Sequence, residues 1–238
     1  IAMYWPTKTL WVGTGENNAS RSSYAGIGML KTTNNGANWE RKGLDDSHHI
    51  GKILINPNNP EEVVVGVTGH LYTPNAERGI YRSKDGGDSW EQVLFVNETS
   101  GIIDMSSVPN DFNIQYAAAW EKDRKAWNFL GNGSNSGIYK STDAGKTWKL
   151  ISTDESGFPR GNGVGRIGLA VFDENTVYAI HDSQFRRPDE ASKKTNGLDK
   201  SDFKNMSKEA FLALEDKRLN TFLKENNFQE KYRAANLK

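Results

Sequence analysis

The sequence predicts an all-β chain of repeated four-stranded antiparallel units followed by a helical segment, and three observations carry that expectation. One motif, Ser/Thr-x-Asp/Asn-x-Gly-x-x-Trp, occurs three times: as Thr32, Asn34, Gly36 and Trp39; as Ser83, Asp85, Gly87 and Trp90; and as Ser141, Asp143, Gly145 and Trp148. The copies recur at roughly 50 to 60 residues, a period that marks propellers and solenoids. Composition then shifts once. Of the 23 glycines, 22 precede residue 190, and all seven tryptophans precede residue 150, whereas the last fifty residues are rich in Lys, Glu, Leu and Asn.

The elements follow in order. A β-branched or aromatic run precedes each motif copy, over residues 9–13, 62–67 and 114–119, and a fourth run at 175–180 has no copy after it. Further upstream in each unit lies an apolar run containing or introduced by glycine, at 50–55, 101–105 and 165–171. These runs have the length and composition of strands. A complete unit is therefore strand, turn, strand, loop, strand, motif, strand, which is the blade of a β-propeller. On this reading residues 50–100 and 101–163 are complete blades. Residues 1–49 supply the last three strands of a preceding blade and a connecting loop, and 164–186 the first half of a following one. The whole is a partial propeller, whose remaining blades belong to a larger protein.

Residues 187–238 read as a helical insertion, entered through a polar linker that runs to about Met206. Ser207 has the character of an N-cap, with Glu209 in the first turn. Phe211, Leu214, Leu219, Phe222 and Leu223 form an apolar stripe, Asn226 and Asn227 break the helix, and 229–237 forms a second short one.

Several chemistries are excluded early. Thirty basic and thirty acidic side chains cancel, so no global field favours a nucleic acid. Without cysteine there is no disulfide framework, thiolate metal site or cysteine nucleophile. His48, His49, His70 and His181 have no metal-ligand spacing, and neither a phosphate-cradling glycine loop nor a serine-nucleophile elbow occurs. No apolar run approaches the roughly 20 residues of a membrane span, and no cofactor or metal is expected.

The motif itself has a mechanical explanation. Asp85 and Asp143 can accept backbone N–H groups across a tight hairpin, Asn34 can do most of this as a neutral acceptor, and the tryptophan pins the turn to the blade. Because antiparallel strands alternate direction, the motif turns share one face with the other short connections. The long loops share the opposite face, where binding residues are expected. Candidates there are Glu16, His70, Trp120, Arg124 and Trp127 for ligand binding. The segment from Trp120 to Phe129 mixes aromatic planes with charge, as sugar-stacking and peptide-binding surfaces do; alternatively, both tryptophans pack that loop onto its blade. For catalysis the candidates are Glu16 and Asp104, with Asp45, Asp46, Glu77, Glu121, Asp123 and Asp182 as further loop carboxylates. Asp104, on an innermost strand, reads more readily as a hydrogen-bonded channel residue.

The repeats, with the runs Val12-Gly13-Thr14-Gly15-Glu16-Asn17-Asn18, His49-Ile50-Gly51-Lys52-Ile53, Gly69-His70-Leu71-Tyr72-Thr73-Pro74-Asn75-Ala76-Glu77-Arg78-Gly79 and Gly165-Arg166-Ile167-Gly168-Leu169-Ala170, resemble the Asp-box, or bacterial neuraminidase-repeat, propellers. That group includes sialidases, xyloglucan-hydrolysing enzymes and sortilin-type receptor domains, and the likeness is greatest to bacterial sortilin-like proteins labelled as glycosyl hydrolases with such repeats. The resemblance implies a longer, extracytoplasmic, bacterial protein. The sialidase arginine motif is approached only at Gly165-Arg166-Ile167-Gly168, which lacks its aromatic residue and proline. Function then divides three ways: a non-enzymatic segment presenting its loop-rich face to a protein or glycan, a glycoside hydrolase with carboxylates partly elsewhere, or a structural subunit of an envelope assembly.

Overall fold

A computed structural model describes residues 1–185, 197–200, 202–204 and 206–238. It divides into a β unit, Ile1–Phe185, and a helical unit, Arg186–Lys238. The β unit is an arc of four antiparallel sheets. The first sheet is β1 (Ala2–Tyr4), β2 (Thr9–Gly13), β3 (Met29–Thr32) and β4 (Glu40–Arg41), and the second β5 (Ile50–Asn56), β6 (Asn59–Val67), β7 (Gly79–Ser83) and β8 (Glu91–Leu94). The third combines β9 (Ser100–Val108) and β10 (Asp111–Glu121) with β13 (Gly137–Ser141) and β14 (Lys149–Leu150). A small hairpin, β11 (Asp123–Arg124) with β12 (Phe129–Leu130), projects from the connection between β10 and β13. The fourth sheet holds β15 (Val164–Val171) and β16 (Val177–Ser183).

The first sheet corrects the expectation of three strands, because Ala2, Met3 and Tyr4 pair with Trp11, Leu10 and Thr9. A strand of three residues is too short to show the alternation from which strands are read. The hairpin β11–β12 was missed for the same reason, since each strand contributes two residues.

Stacking of sheet on sheet explains the apolar runs. Side chains alternate across a strand. Val63, Val65 and Val67 therefore turn to one side, against Trp11, Met29, Ile50 and Ile53. Val64 turns to the other, against Ile102, Met105 and Ala117. β10 repeats the arrangement, with Ala117 and Ala119 on one side and Tyr116, Ala118 and Trp120 on the other, packed against Val164 and Ile167. Central strands buried on both faces lose the polar alternation of a half-exposed strand.

The motif closes each outer hairpin as its chemistry requires. Ser83 Oγ donates to Asp85 Oδ1 (2.8 Å) and accepts from the Gly87 N–H (2.8 Å). Asp85 also accepts the Ser89 N–H (2.9 Å) and hydroxyl (2.5 Å). Asp143 repeats the set with Ser141 and Thr147. Asn34 accepts from the Thr32 hydroxyl and the Asn38 N–H, at 2.9 Å each, but its amide nitrogen cannot take the place of the second carboxylate oxygen. Trp90 extends the turn to the preceding sheet, donating from Nε1 to the Lys42 carbonyl (2.7 Å) and meeting the buried Trp11 edge-on.

In the helical unit the apolar stripe is present but divided. Ser207 caps α1 (Lys208–Leu212) through the Ala210 N–H (3.2 Å). Glu215 is extended and starts α2 (Asp216–Glu225). The break corrects the single continuous helix, and it lets Phe211 and Leu214 fold back onto Leu219, Phe222 and Leu223. The last helix is only α3 (Ala234–Leu237), with Ala234 buried in the same cluster. Most of the expected polar linker lies outside the described residues. No helix among the described residues is long and apolar enough to cross a membrane.

Candidate functional site

The short connections, including all three motif turns, lie at one end of the strands, and the long loops at the other. The long-loop face is built outward from a buried arginine. Arg78 reaches back from the loop between β6 and β7 and donates to the carbonyls of Thr68 (2.8 Å), His70 (2.8 Å), Thr73 (3.2 Å) and Thr99 (3.4 Å). Four neutral acceptors hold a charge that water would otherwise solvate, and burial lowers its pKa to about 10, with Asp123 opposing the shift. Lys122, also buried, donates to the His70 carbonyl at 3.3 Å. Burial first, and then Arg78, brings its ammonium down to about 7.

His70 is the hub between sheets. Its Nε2 lies 2.9 Å from the Asp46 carbonyl, which can only accept, so Nε2 carries a proton, and Nδ1 shares a hydrogen bond with the Thr73 hydroxyl (3.3 Å). The ring stacks on His48 at 3.7 Å. His49 is buried beneath, and burial, followed by the nearby Lys122, depresses it to about 4. Tyr72 adds a hydroxyl bond to the Arg21 carbonyl (2.6 Å). These contacts tie loops of the first three sheets into one surface, so His70 positions the face from within.

Beside this hub the hairpin β11–β12 forms one wall of a cleft of about 220 Å³ lined by Arg21, Arg124, Ala126, Trp127, Asn128 and Phe129. The Lys125 N–H closes the hairpin on the Asn128 carbonyl (2.8 Å). Trp127 stands at its tip with 85% of its surface exposed. The Arg124 guanidinium lies 4.8 Å from the Phe129 ring centre. The cleft thus offers cationic donors and aromatic planes, and its lining contains no carboxylate.

The structure separates the candidates. Arg124 and Trp127 come together in the cleft. Trp120 does not join them as a binding plane: it is 4% exposed, donates from Nε1 to the Gly131 carbonyl (2.7 Å) and meets Phe129 edge-on from below. Its surface is spent on packing the loop, so the ligand-binding assignment is corrected for Trp120. Glu16 is exposed and lines neither this cleft nor the acidic pocket at Asp45 and Asp46. Asp104 accepts the Met105 and Leu169 N–H groups (2.9 Å each) and pairs with Lys52 at 3.2 Å. It ties three sheets together, which agrees with the hydrogen-bonded reading. Arg21 had no signal in the sequence, because a lone arginine in a serine-rich loop is ordinary. Among the described residues, no cluster of three or more His, Cys, Asp or Glu could hold a metal ion.

Comparison with known proteins agrees with the motif turns. The BNR/Asp-box repeat family matches residues 139–150, which span the third copy. The third copy of the motif is thus an Asp-box repeat, and the first two share its pattern. No curated protein matches it. Among solved structures it is similar to an ancestral GH74 enzyme (22% identity over 70% of this chain, TM-score 0.49) and to the GH74 xyloglucanase from Xanthomonas campestris (16% over 76%, TM-score 0.47). A GH74 enzyme from Niastella koreensis matches at 15% identity over 72% of this chain, TM-score 0.41. The chain spans only 22 to 26% of the length of these proteins.

Proposed function

We propose that the chain is a non-enzymatic binding segment of a larger extracytoplasmic, sortilin-like propeller protein, and that its long-loop face holds an anionic partner. The observation that carries this reading is the Arg21–Arg124–Trp127–Phe129 cleft. An exposed indole is costly to leave in water, and here it shares a cleft with Arg124 and Arg21, the Arg21 loop being held by the Tyr72 hydroxyl and the hairpin by the Trp120–Phe129 contact. A glycosidase needs two carboxyl groups flanking its bond, and this cleft is lined by none. The chemistry that fits is a carboxylate- or sulfate-bearing glycan, or an acidic stretch of protein.

The remaining propeller is a second expected partner. Tyr178 and Ile180 on β16 are 66% and 78% exposed, and Phe172 joins them beside the strand. A further blade stacked on this sheet would cover them as Val64 and Ile102 are covered between the second and third sheets.

The test is a panel of neutral and uronic-acid oligosaccharides and acidic peptides, read both for binding and for release of reducing ends. Binding of acidic members without turnover, lost in Trp127→Ala and Arg124→Ala, is expected. Turnover abolished by neutralising a carboxylate of the loop face would replace this reading with hydrolysis.

A further inference from the structure

The hub under the long-loop face gathers five basic side chains from three connections. His48 and His49 belong to the segment between β4 and β5, His70 and Arg78 to that between β6 and β7, and Lys122 directly follows β10. The His48 and His70 rings stack with centres 3.7 Å apart and planes within 16°, and His49 meets His48 edge-on at 6.3 Å. His49 is 3% exposed, and its Nδ1 has no hydrogen-bond partner among the described residues. A Cβ on Gly15 would come within 2.9 Å of that nitrogen, so the segment between β2 and β3 packs directly on it. Leu44 and His48, at the two ends of the 45–47 turn, both hold positive φ (57 and 56), a strained conformation for side chains of their size that surrounding contacts must maintain.

We infer that His48, His49 and His70 form a proton-operated latch, which clasps the β4–β5 segment to the β6–β7 segment while the rings are neutral and releases it when they are charged. Neutral imidazoles stack without repulsion, whereas two imidazolium rings 3.7 Å apart would face each other as like charges. A charged His49 would need acceptors for both ring N–H groups, and the buried Nδ1 has none among the described residues. Release would part the bond from His70 Nε2 to the Asp46 carbonyl (2.9 Å), which spans the same two segments. Tyr72, carried on the β6–β7 segment, would leave the Arg21 carbonyl with it. The latch stands on these loop contacts alone; only its effect on an anion in the Arg21–Arg124 cleft rests on the function proposed above.

The charges around the rings set the direction. Asp46 and Glu77 favour a proton on His48, but burial first, and then His70, outweigh them and lower its pKa. For His49 burial leads, and Lys122, His48, His70 and Arg78 all add to it, bringing the value to about 4. Asp123 faces Arg78 and Lys122, and Lys122 is itself charged below about 7. Glu77, held below its ordinary 4.5 by the Asn75 side chain, keeps its charge above that pH. Both His48 and His49 thus have folded values below the ordinary 6.5, so the released form binds the extra proton. The closed latch is fully favoured above about 6.5 and is lost as pH falls toward 4, by at most about tenfold per pH unit for each proton taken up.

The experiment follows the histidine ring signals and backbone amides of the unaltered chain by NMR as pH is lowered from about 7.5 to about 4.5. The expected result is a single transition shared by the His48 and His49 rings and the amides of residues 44–49 and 69–78, with the strand amides of 63–67 and 116–120 unmoved. His49→Gln, and separately His48→Gln combined with His70→Gln, should each lower the midpoint by at least about half a pH unit, roughly a threefold rise in the proton concentration needed. Should His49→Gln fail to fold, the double variant, at half-buried positions, carries the same test. The inference is overturned if the rings titrate while the loop amides stay fixed, if the strands move in the same transition, or if the midpoint is unchanged in the variants.

Discussion

The two ends of the strands use the same residue types to opposite ends. On the motif face, Asp85 and Asp143 are enclosed by hydrogen bonds from their own turns, and Trp90 lies half-buried between sheets. On the long-loop face, Asp45 and Asp46 have no cationic partner among the described residues, and Trp127 stands in solvent. An acid or a tryptophan repeated through a chain invites a functional reading. What decides its role is whether its hydrogen-bonding capacity and apolar surface are already used within the fold.

The largest expected effect breaks the motif face where it meets its neighbour. A Cβ at Gly87 would stand 2.7 Å from the buried Trp11 ring, on a backbone with φ +89. At Gly36, with φ +86, the nearest atom is 3.7 Å away. Gly87→Ala should therefore cost about 2–4 kcal/mol in urea unfolding, from overpacking and backbone strain together, and Gly36→Ala about 1–2 kcal/mol from strain alone. Equal costs would mean that the second motif does not pack against the first sheet.

Next in size are two pH effects of the same direction and different range. Hydrogen bonds from Ser89 and Ser83 hold Asp85 at about 2; at Asp143, burial pushes upward but is outweighed by bonds from Thr147 and Ser141, giving about 2 as well. Both values lie below the ordinary carboxylate value of 3.8, so the stability these groups supply is complete above about 4 and lost as pH falls toward 2. Asp143→Asn, which copies Asn34, should flatten that acid limb. Lys122 acts on the loop face. Its folded pKa of about 7 lies below 10.5, so the unfolded chain binds the extra proton between those values and stability rises with pH across them. Lys122→Met should remove the rise, measured as unfolding midpoints at pH 7 and 10.

The smallest effect on stability is expected at Trp127. With its ring in solvent, Trp127→Ala should shift unfolding by no more than about 0.5 kcal/mol, against about 2 kcal/mol for Trp90→Ala.

The architecture was legible because repetition, β-branched runs and a turn motif all pointed the same way, and each is a local property of the chain. The loop face was legible as a region and much less as a site. Arg124 and Trp127 stand three residues apart and could be paired by reading along the chain, whereas Arg21 reaches their cleft from another sheet. Trp120 shows the limit from the other side. It lies close to Trp127 in sequence and shares its residue type, yet its place on β10 carries it into the packing between sheets. Asp104 was undecided for a similar reason, since Lys52 and Leu169, which hold it, come from distant strands.

The most direct test of the division between the faces is a thermal-shift titration of the unaltered chain, Trp90→Ala and Trp127→Ala against an oligogalacturonate and a poly-aspartate peptide. The account predicts that Trp90→Ala melts earlier and is still stabilised by whichever anion binds the unaltered chain, while Trp127→Ala melts normally and gains nothing. A Trp127→Ala chain that responds to the anion as the unaltered chain does would contradict it.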